Sequence, residues 1–271
     1  MNKVIMVLID GLQYQVASTQ MGYLHHLVEL NKASFCKVKS ELPSLSRPLY
    51  EVLMTGTPAS VSGITTNDIV RMSSQKSLFQ LTKEQGLRNA AAAYYWVSEL
   101  YNRAPFDKVE DRHQADETKS IQYGTFYYDD FYPDSHLLVD AEVLRRKYDP
   151  HFLFIHTMGS DTVGHLYGSN SKEYRKSAIQ MDKLLAEFIP VWSKEGYHIV
   201  ITSDHGMNTD GAHGGTSSDE RDVPLFIMSE RVKPGYHNEL PQLAVAPLIC
   251  QLLEISPSQA MIEYDFSGMM V

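Results

Sequence analysis

Four short runs of apolar, largely β-branched residues leave this chain few architectures. They are Lys3 to Ile9, Phe152 to His156, His198 to Thr202 and Val223 to Met228. A strand with one wet face alternates apolar and polar residues, so an unbroken run marks a strand buried on both faces. Helical patterns lie between the runs. From about Ser171 to Trp192, residues Tyr174, Ala178, Met181, Leu185 and Phe188 recur at spacings of four and three, which makes one apolar stripe. Asn170 with Glu173 is placed to cap that helix. A second helix is expected over roughly Leu240 to Leu253. Strands alternating with helices predict an α/β fold, a central, mostly parallel sheet with helices on both faces.

The chain of 271 residues suits one domain of this kind, spanning 1–271. The stretch at about 68–150 shows no clear period and is expected to be an irregular insertion. Within it, Arg88 to Trp96 has strand character, Asp107 to Thr118 is a charged surface, and Tyr123 to Tyr132 is dense in aromatics. That aromatic stretch fits a packed lid or satellite core better than a stacking platform. The net charge of −9 disfavours attraction to nucleic-acid polymers or anionic membranes, so an anionic substrate would need local positive charge. Cys36 and Cys250 match neither a metal-finger spacing nor a disulfide framework and read as two buried thiols. The first apolar run meets Asp10 too early for a signal peptide, and no stretch reaches membrane-spanning length. A cytoplasmic location is the expectation. The oligomeric state stays open.

The residue types of a metal site fall just beyond the strand-like runs. Asp10 follows the first run and precedes Gly11. Asp161 and His165 (DTVGH) follow the second, Asp204 and His205 (TSDHGM) follow the third, and His213 comes soon after. Sites in open parallel sheets form at the carboxyl ends of strands, so these six ligands can converge on one rim. Imidazole with carboxylate suits two divalent cations, Zn²⁺ first and Mn²⁺ or Fe as competitors. Two such ions roughly 4 Å apart can clamp the attacking and leaving oxygens of a displacement at phosphorus. A nucleophile is needed beside them. In PSLSRPLYEVLMTG a helix is expected from about Pro48, which puts Ser46 at its N-terminus, where the helix dipole favours an alkoxide or a phosphate.

In that order the motifs resemble the alkaline phosphatase superfamily, and most of all its nucleotide pyrophosphatase/phosphodiesterase branch. The matching pieces are Asp10-Gly11, Ser46 ten residues before the Gly of Thr55-Gly56, Gly63-Ile64, Asp161 with His165, the Asp-His-Gly-Met of 204–207, and His213. The resemblance implies one metal held by Asp161, His165 and His213. It implies a second held by Asp10, Asp204 and His205, with Ser46 as an additional ligand. It further implies attack by Ser46 on a small phosphorylated substrate through a phosphoseryl intermediate, with cleavage of phosphodiester or pyrophosphate bonds. The alternatives are a phosphomonoesterase, a phosphonoacetate-type C–P hydrolase, or a phosphoryl transferase or mutase. Leu49, three residues after Ser46, offers no donor, so substrate binding is assigned to Arg47 and Asn67. The Ser and Arg that sulfatases carry after the proline are missing beyond Pro48, which disfavours sulfate esters.

Overall fold

Each of the four apolar runs is a strand, and all four lie side by side in one sheet. The computed structural model describes residues 2–271. In chain order the strands are β1 Lys3–Ile9, β2 Ser34–Lys39, β3 Asn89–Tyr94, β4 His113–Ala115, β5 Tyr123–Tyr127, β6 Phe152–Thr157, β7 Tyr197–Thr202, β8 Asp222–Met228, β9 Gly235–Tyr236 and β10 Leu240–Pro241. The helices are α1 Tyr14–Gln20, α2 Gly22–Glu29, α3 Ser46–Thr55, α4 Ala59–Ser62, α5 Leu78–Glu84, α6 Tyr95–Tyr101, α7 Asp134–Tyr148, α8 Gly159–Tyr167, α9 Lys172–Lys194, α10 Ser218–Arg221 and α11 Val245–Leu253.

The sheet runs β10-β2-β8-β7-β1-β6-β3-β5-β4, with β9 paired to β2. Its centre is parallel: β1 pairs in parallel with both β6 and β7, and β3 pairs in parallel with β6 and β5. The fourth run, β8, is antiparallel to both its neighbours, and β4 is antiparallel to β5. The sheet is therefore mixed, with a parallel core.

Alternation along β1 divides the interior. Val4, Met6 and Leu8 face the layer of α3, α5, α6 and α11, while Ile5, Val7 and Ile9 face α1, α2, α7 and α9. With both faces covered, β1 carries no polar residue between its ends, which is why its sequence shows no alternation.

The 68–150 segment differs from the expected irregular insertion: it supplies β3, β4, β5 and α7, and all three strands join the same sheet. Helix α9 starts at Lys172, and the hydroxyl of Ser171 accepts from the Tyr174 N–H, so Ser171 rather than Asn170 is the cap. Cys36 and Cys250 are free and buried. Among the described residues, no helix is long and apolar enough to cross a membrane.

Helix α7 is anchored by a charge network at its buried edge. Glu142 accepts from Arg145 Nε at 2.7 Å, from Arg146 Nε at 2.7 Å and from Trp192 Nε1 at 3.1 Å. Burial raises the Glu142 carboxyl, but the donors of Arg145, Arg146 and Trp192 together outweigh it and pull the pKa down to about 2. A carboxyl depressed in the folded state stabilises above its unfolded pKa of about 4.3, and that stabilisation is lost as pH falls towards 2. Chemical denaturation of Glu142→Gln should show a deficit at neutral pH that shrinks steadily below about pH 4. A deficit independent of pH would mean the ion pairs contribute nothing.

Candidate metal and nucleophile site

Strands β7, β1 and β6 end at the same edge, and their first residues beyond the sheet form the site. Asp204 lies two residues past β7, Asp10 directly past β1, and Asp161 in the first turn of α8 after β6. Gly11 makes the closeness possible. It holds φ +67°, and a Cβ there would lie 2.8 Å from the Asp161 Cα. Only glycine tolerates both that backbone and that approach, which gives the Asp-Gly pair a physical reason.

Six expected ligands come together. His205 Nε2 lies 3.4 Å from Asp10 Oδ1 and 3.2 Å from Asp204 Oδ2. His165 Nε2 lies 3.4 Å from Asp161 Oδ2, and His213 Nε2 lies 3.7 Å from Asp161 Oδ1. The rings of His205 and His213 stack at 3.6 Å, which joins the two groups. Ligand atoms of Asp10, Asp204 and His205 fall within 4.8 Å of one another, as do those of Asp161, His205 and His213. His205 thus stands between the two sets, and His165 completes the second through its contact with His213.

The chemistry of these donors fits cations. His205 Nδ1 faces the Gly206 carbonyl at 2.9 Å, His165 Nδ1 the Gly211 carbonyl at 2.8 Å, and His213 Nδ1 the Ser44 carbonyl at 2.9 Å. A carbonyl only accepts, so each Nδ1 carries the proton and each neutral ring turns an Nε2 lone pair inward. His165 Nε2 and His213 Nε2 stand 3.2 Å apart with no proton to share. Asp10 Oδ1, Asp161 Oδ1 and Asp204 Oδ2 are buried without a hydrogen-bond partner. Unpaired buried acceptors are costly, and three in one cluster need a positive partner.

Electrostatics agrees with the donor count. Burial, then the Asp204 charge, pushes the Asp10 carboxyl well up, and burial, then the Asp10 charge, does the same to Asp161. Burial also raises Asp204. His205 and His213 are each driven down to about 3, with burial the main cause. Neutral imidazoles cannot balance three carboxylates, whereas divalent cations can.

Ser46 opens α3, two residues earlier than the sequence suggested, and its hydroxyl lies 3.1 Å from His205 Nε2. The nucleophile candidate therefore touches the cluster. Asn67 also reaches the site: its Oδ1 accepts the Arg47 N–H at 3.0 Å, which leaves its amide nitrogen free to donate. Both Ser46 and Asn67 line a cleft of about 330 Å³, together with Tyr94, Trp96, Asp130 and Phe131.

Arg47 is a correction. Its guanidinium points away from the cleft, with the side chain 1% exposed, and pairs with Glu99 Oε2 at 2.8 Å. It also donates to the Ile69 carbonyl at 3.1 Å and lies 4.5 Å from the Trp96 ring centre. Adjacency to Ser46 in sequence suggested a phosphate contact, but neighbouring helix residues point about 100° apart. The aromatic stretch divides between two roles. Tyr127 is buried and donates to the His156 carbonyl at 2.9 Å, whereas Phe131 is 70% exposed at the cleft.

Sequence reading missed two residues that touch Asp10. Tyr50 donates its hydroxyl to Asp10 Oδ2, and His156 Nε2 lies 2.9 Å from the same oxygen. In sequence His156 is only a lone imidazole closing an apolar run; the pairing of β6 with β1 sets it opposite Leu8, two residues before Asp10.

Residues 4–213 match the model of a family described as type I phosphodiesterase/nucleotide pyrophosphatase. The human GPI ethanolamine phosphate transferase 2 catalytic subunit is 27% identical over 247 residues, 86% of this chain and 24% of that protein. GPI ethanolamine phosphate transferase 2 of Kluyveromyces lactis is 24% identical over 253 residues, 91% of this chain and 31% of that protein. The chain thus spans a quarter to a third of the length of the curated relatives it matches. Among solved structures, an inactive form of murine ectonucleotide pyrophosphatase/phosphodiesterase 5 in complex with AMP superposes with a TM-score of 0.80. Identity is 12% and both chains are covered completely. At that identity the likeness speaks for the fold.

Proposed function

This chain belongs to the type I phosphodiesterase/nucleotide pyrophosphatase family of the alkaline phosphatase superfamily, and from that premise we propose a metal-dependent phosphodiesterase with Ser46 as its nucleophile. The observation that carries the proposal is the contact of the Ser46 hydroxyl with a cluster of inward-facing imidazole lone pairs and unpartnered carboxylate oxygens. Asp161, His165 and His213 would hold one cation, and Asp10, Asp204 and His205, with Ser46, the other. Zn²⁺ suits this mixture of nitrogen and oxygen donors best. Divalent cations bound there would neutralise the carboxylates and draw negative charge from the phosphoryl oxygens.

The chain's own groups do the rest. Ser46 Oγ attacks phosphorus, and the bond to the leaving oxygen breaks as the Oγ–P bond forms. Asn67, fixed through its Oδ1 by the Arg47 N–H, turns its amide hydrogens towards a phosphoryl oxygen. Helix α3 directs its positive end at the same centre. A second oxygen nucleophile, water in hydrolysis, then displaces Ser46 from phosphorus. Arg47 is locked to Glu99, so no arginine of α3 is left to clamp a dianionic monoester, which favours diesters.

A second reading has its own support. Asp130 and the rings of Tyr94, Trp96 and Phe131 line the cleft, and no Lys or Arg does. Such walls favour an ammonium group over a second anion. The named relatives are ethanolamine phosphate transferases, so transfer of a phosphoethanolamine-type group to an acceptor hydroxyl is the alternative fate of the intermediate.

Activity should fall to background after chelation and return with Zn²⁺ or Mn²⁺. With metal restored, bis-p-nitrophenyl phosphate should be cleaved faster than p-nitrophenyl phosphate. Turnover untouched by chelation would rule out the metal mechanism, and a strong monoester preference would rule out the diesterase. Oxygen-18 from labelled water should enter the phosphate product. Unlabelled product formed only with an added alcohol would establish transfer instead.

A further inference from the structure

We propose that Tyr50 and His156 are positioning residues that together occupy Asp10 Oδ2, so that Oδ1 alone is presented to the cation held with Asp204 and His205. The inference rests on the metal-dependent reading above and concerns residues which that reading leaves without a role.

His156 looks at first like a seventh ligand, since it is an imidazole touching a ligand carboxylate in a fully buried place. Its hydrogen bonds say otherwise. The Tyr94 backbone N–H donates to His156 Nδ1 at 3.4 Å. An N–H needs a lone pair, so Nδ1 is the bare nitrogen and the proton sits on Nε2. His156 Nε2 then donates to Asp10 Oδ2 at 2.9 Å. This is the opposite tautomer to His165, His205 and His213, whose Nδ1 atoms all face carbonyls. Three histidines accept at Nε2 and one donates. Backbone groups make the choice in each case, because a carbonyl fixes the first three and an amide fixes the fourth.

Tyr50 supplies the second donor to Oδ2. Its ring packs edge-on against His156 with centroids 4.6 Å apart, so each donor holds the other in place. Two donors on Oδ2 and none on Oδ1 orient the carboxylate, and Oδ1 lies 3.4 Å from His205 Nε2. Without the donors a buried carboxylate can rotate and offer either oxygen, or both. Tyr50 also sits four residues after Ser46 on α3, hence on the same helix face. One helix therefore carries the nucleophile and orients the ligand beside it, which fixes Ser46 relative to the cation it would share with Asp10.

The test is titration of the metal-stripped chain with Co²⁺, followed by its visible absorption and by calorimetry, without reference to turnover. The wild-type chain should bind two equivalents. Tyr50→Phe removes one hydroxyl and keeps the ring, and His156→Leu removes the imidazole donor. Each should weaken one of the two sites by tenfold to a hundredfold, the range for lost support of a ligand, and leave the other unchanged. His156→Gln, which can return an N–H to the position of Nε2, should recover most of the loss. Unchanged affinities in both Tyr50→Phe and His156→Leu would overturn the positioning role, as would equal weakening of both sites with a lowered melting temperature. A wild-type chain that binds no Co²⁺ would sink the metal reading itself, and this inference with it.

Discussion

Replacing Ser46 by alanine should lower kcat on the order of 10⁴-fold or more, the scale seen when a covalent nucleophile is lost, while the cation it would share keeps Asp10, Asp204 and His205 as ligands. The Ser46 side chain is buried and its hydroxyl meets His205 Nε2. Removing it deletes about one hydrogen bond, roughly 1 kcal/mol of folding stability, so the variant should fold. The cluster residues stay in place, since each His is fixed through Nδ1 by a backbone carbonyl rather than by Ser46. The loss should therefore appear in kcat with little change in substrate binding. Acid quenching of the wild-type chain during turnover of a diester should leave the phosphoryl group, with its remaining ester, on the peptide that contains Ser46. A variant within tenfold of wild-type activity would show that a water, and not Ser46, attacks phosphorus.

The second large effect is on stability. Glu99→Ala should cost about 3–5 kcal/mol, the range for breaking a buried ion pair, which is a melting temperature lower by on the order of 10 °C. The Arg47 and Glu99 side chains are 1% and 5% exposed. Glu99 Oε1 also accepts the Phe106 N–H at 2.9 Å, and Arg47 Nη1 holds the Ile69 carbonyl. Alanine at 99 strands a guanidinium charge in an apolar surround, and desolvation outweighs anything the remaining contacts return. Removing both charges is different: Arg47→Met with Glu99→Leu should recover most of the loss, because no unpaired charge remains. Because Ile69 and Asn67 share one loop, Glu99→Ala should also lower turnover through Asn67. Calorimetric melting of the single and double variants decides the matter. A single variant within 1 kcal/mol of wild type would mean water reaches the pair.

Much of this was legible in the sequence, and for identifiable reasons. Strands buried on both faces announce themselves by unbroken apolar runs, and β1, β6 and β7 did so with ends correct to within a residue. The ligands were readable because three central strands release acidic residues at one edge. In the middle, the strand character of Arg88 to Trp96 corresponds to β3, although Asn-Ala-Ala-Ala-Ala-Tyr has low strand propensity and owes its strand state to pairing and burial between β6 and β5. Strand β4 is three residues long and largely exposed, so it carries no hydrophobic signature. Arg47 was misassigned because sequence proximity carries no direction, and its partner Glu99 lies 52 residues away. His156 was hidden by its own setting: at the end of an apolar strand, nothing in the local pattern separates a structural imidazole from a donor to Asp10. Only the Tyr94 amide, brought alongside by the pairing of β3 with β6, fixes its proton.

Everything functional depends on distant acidic and imidazole side chains gathering about cations beside one serine. Anomalous diffraction at the zinc edge from crystals grown with Zn²⁺ tests this most directly. Two peaks are expected, one touching Asp161, His165 and His213, the other touching Asp10, Asp204 and His205 within reach of the Ser46 hydroxyl. Peaks confined to other surface residues, with none at the ends of β1, β6 and β7, would contradict it.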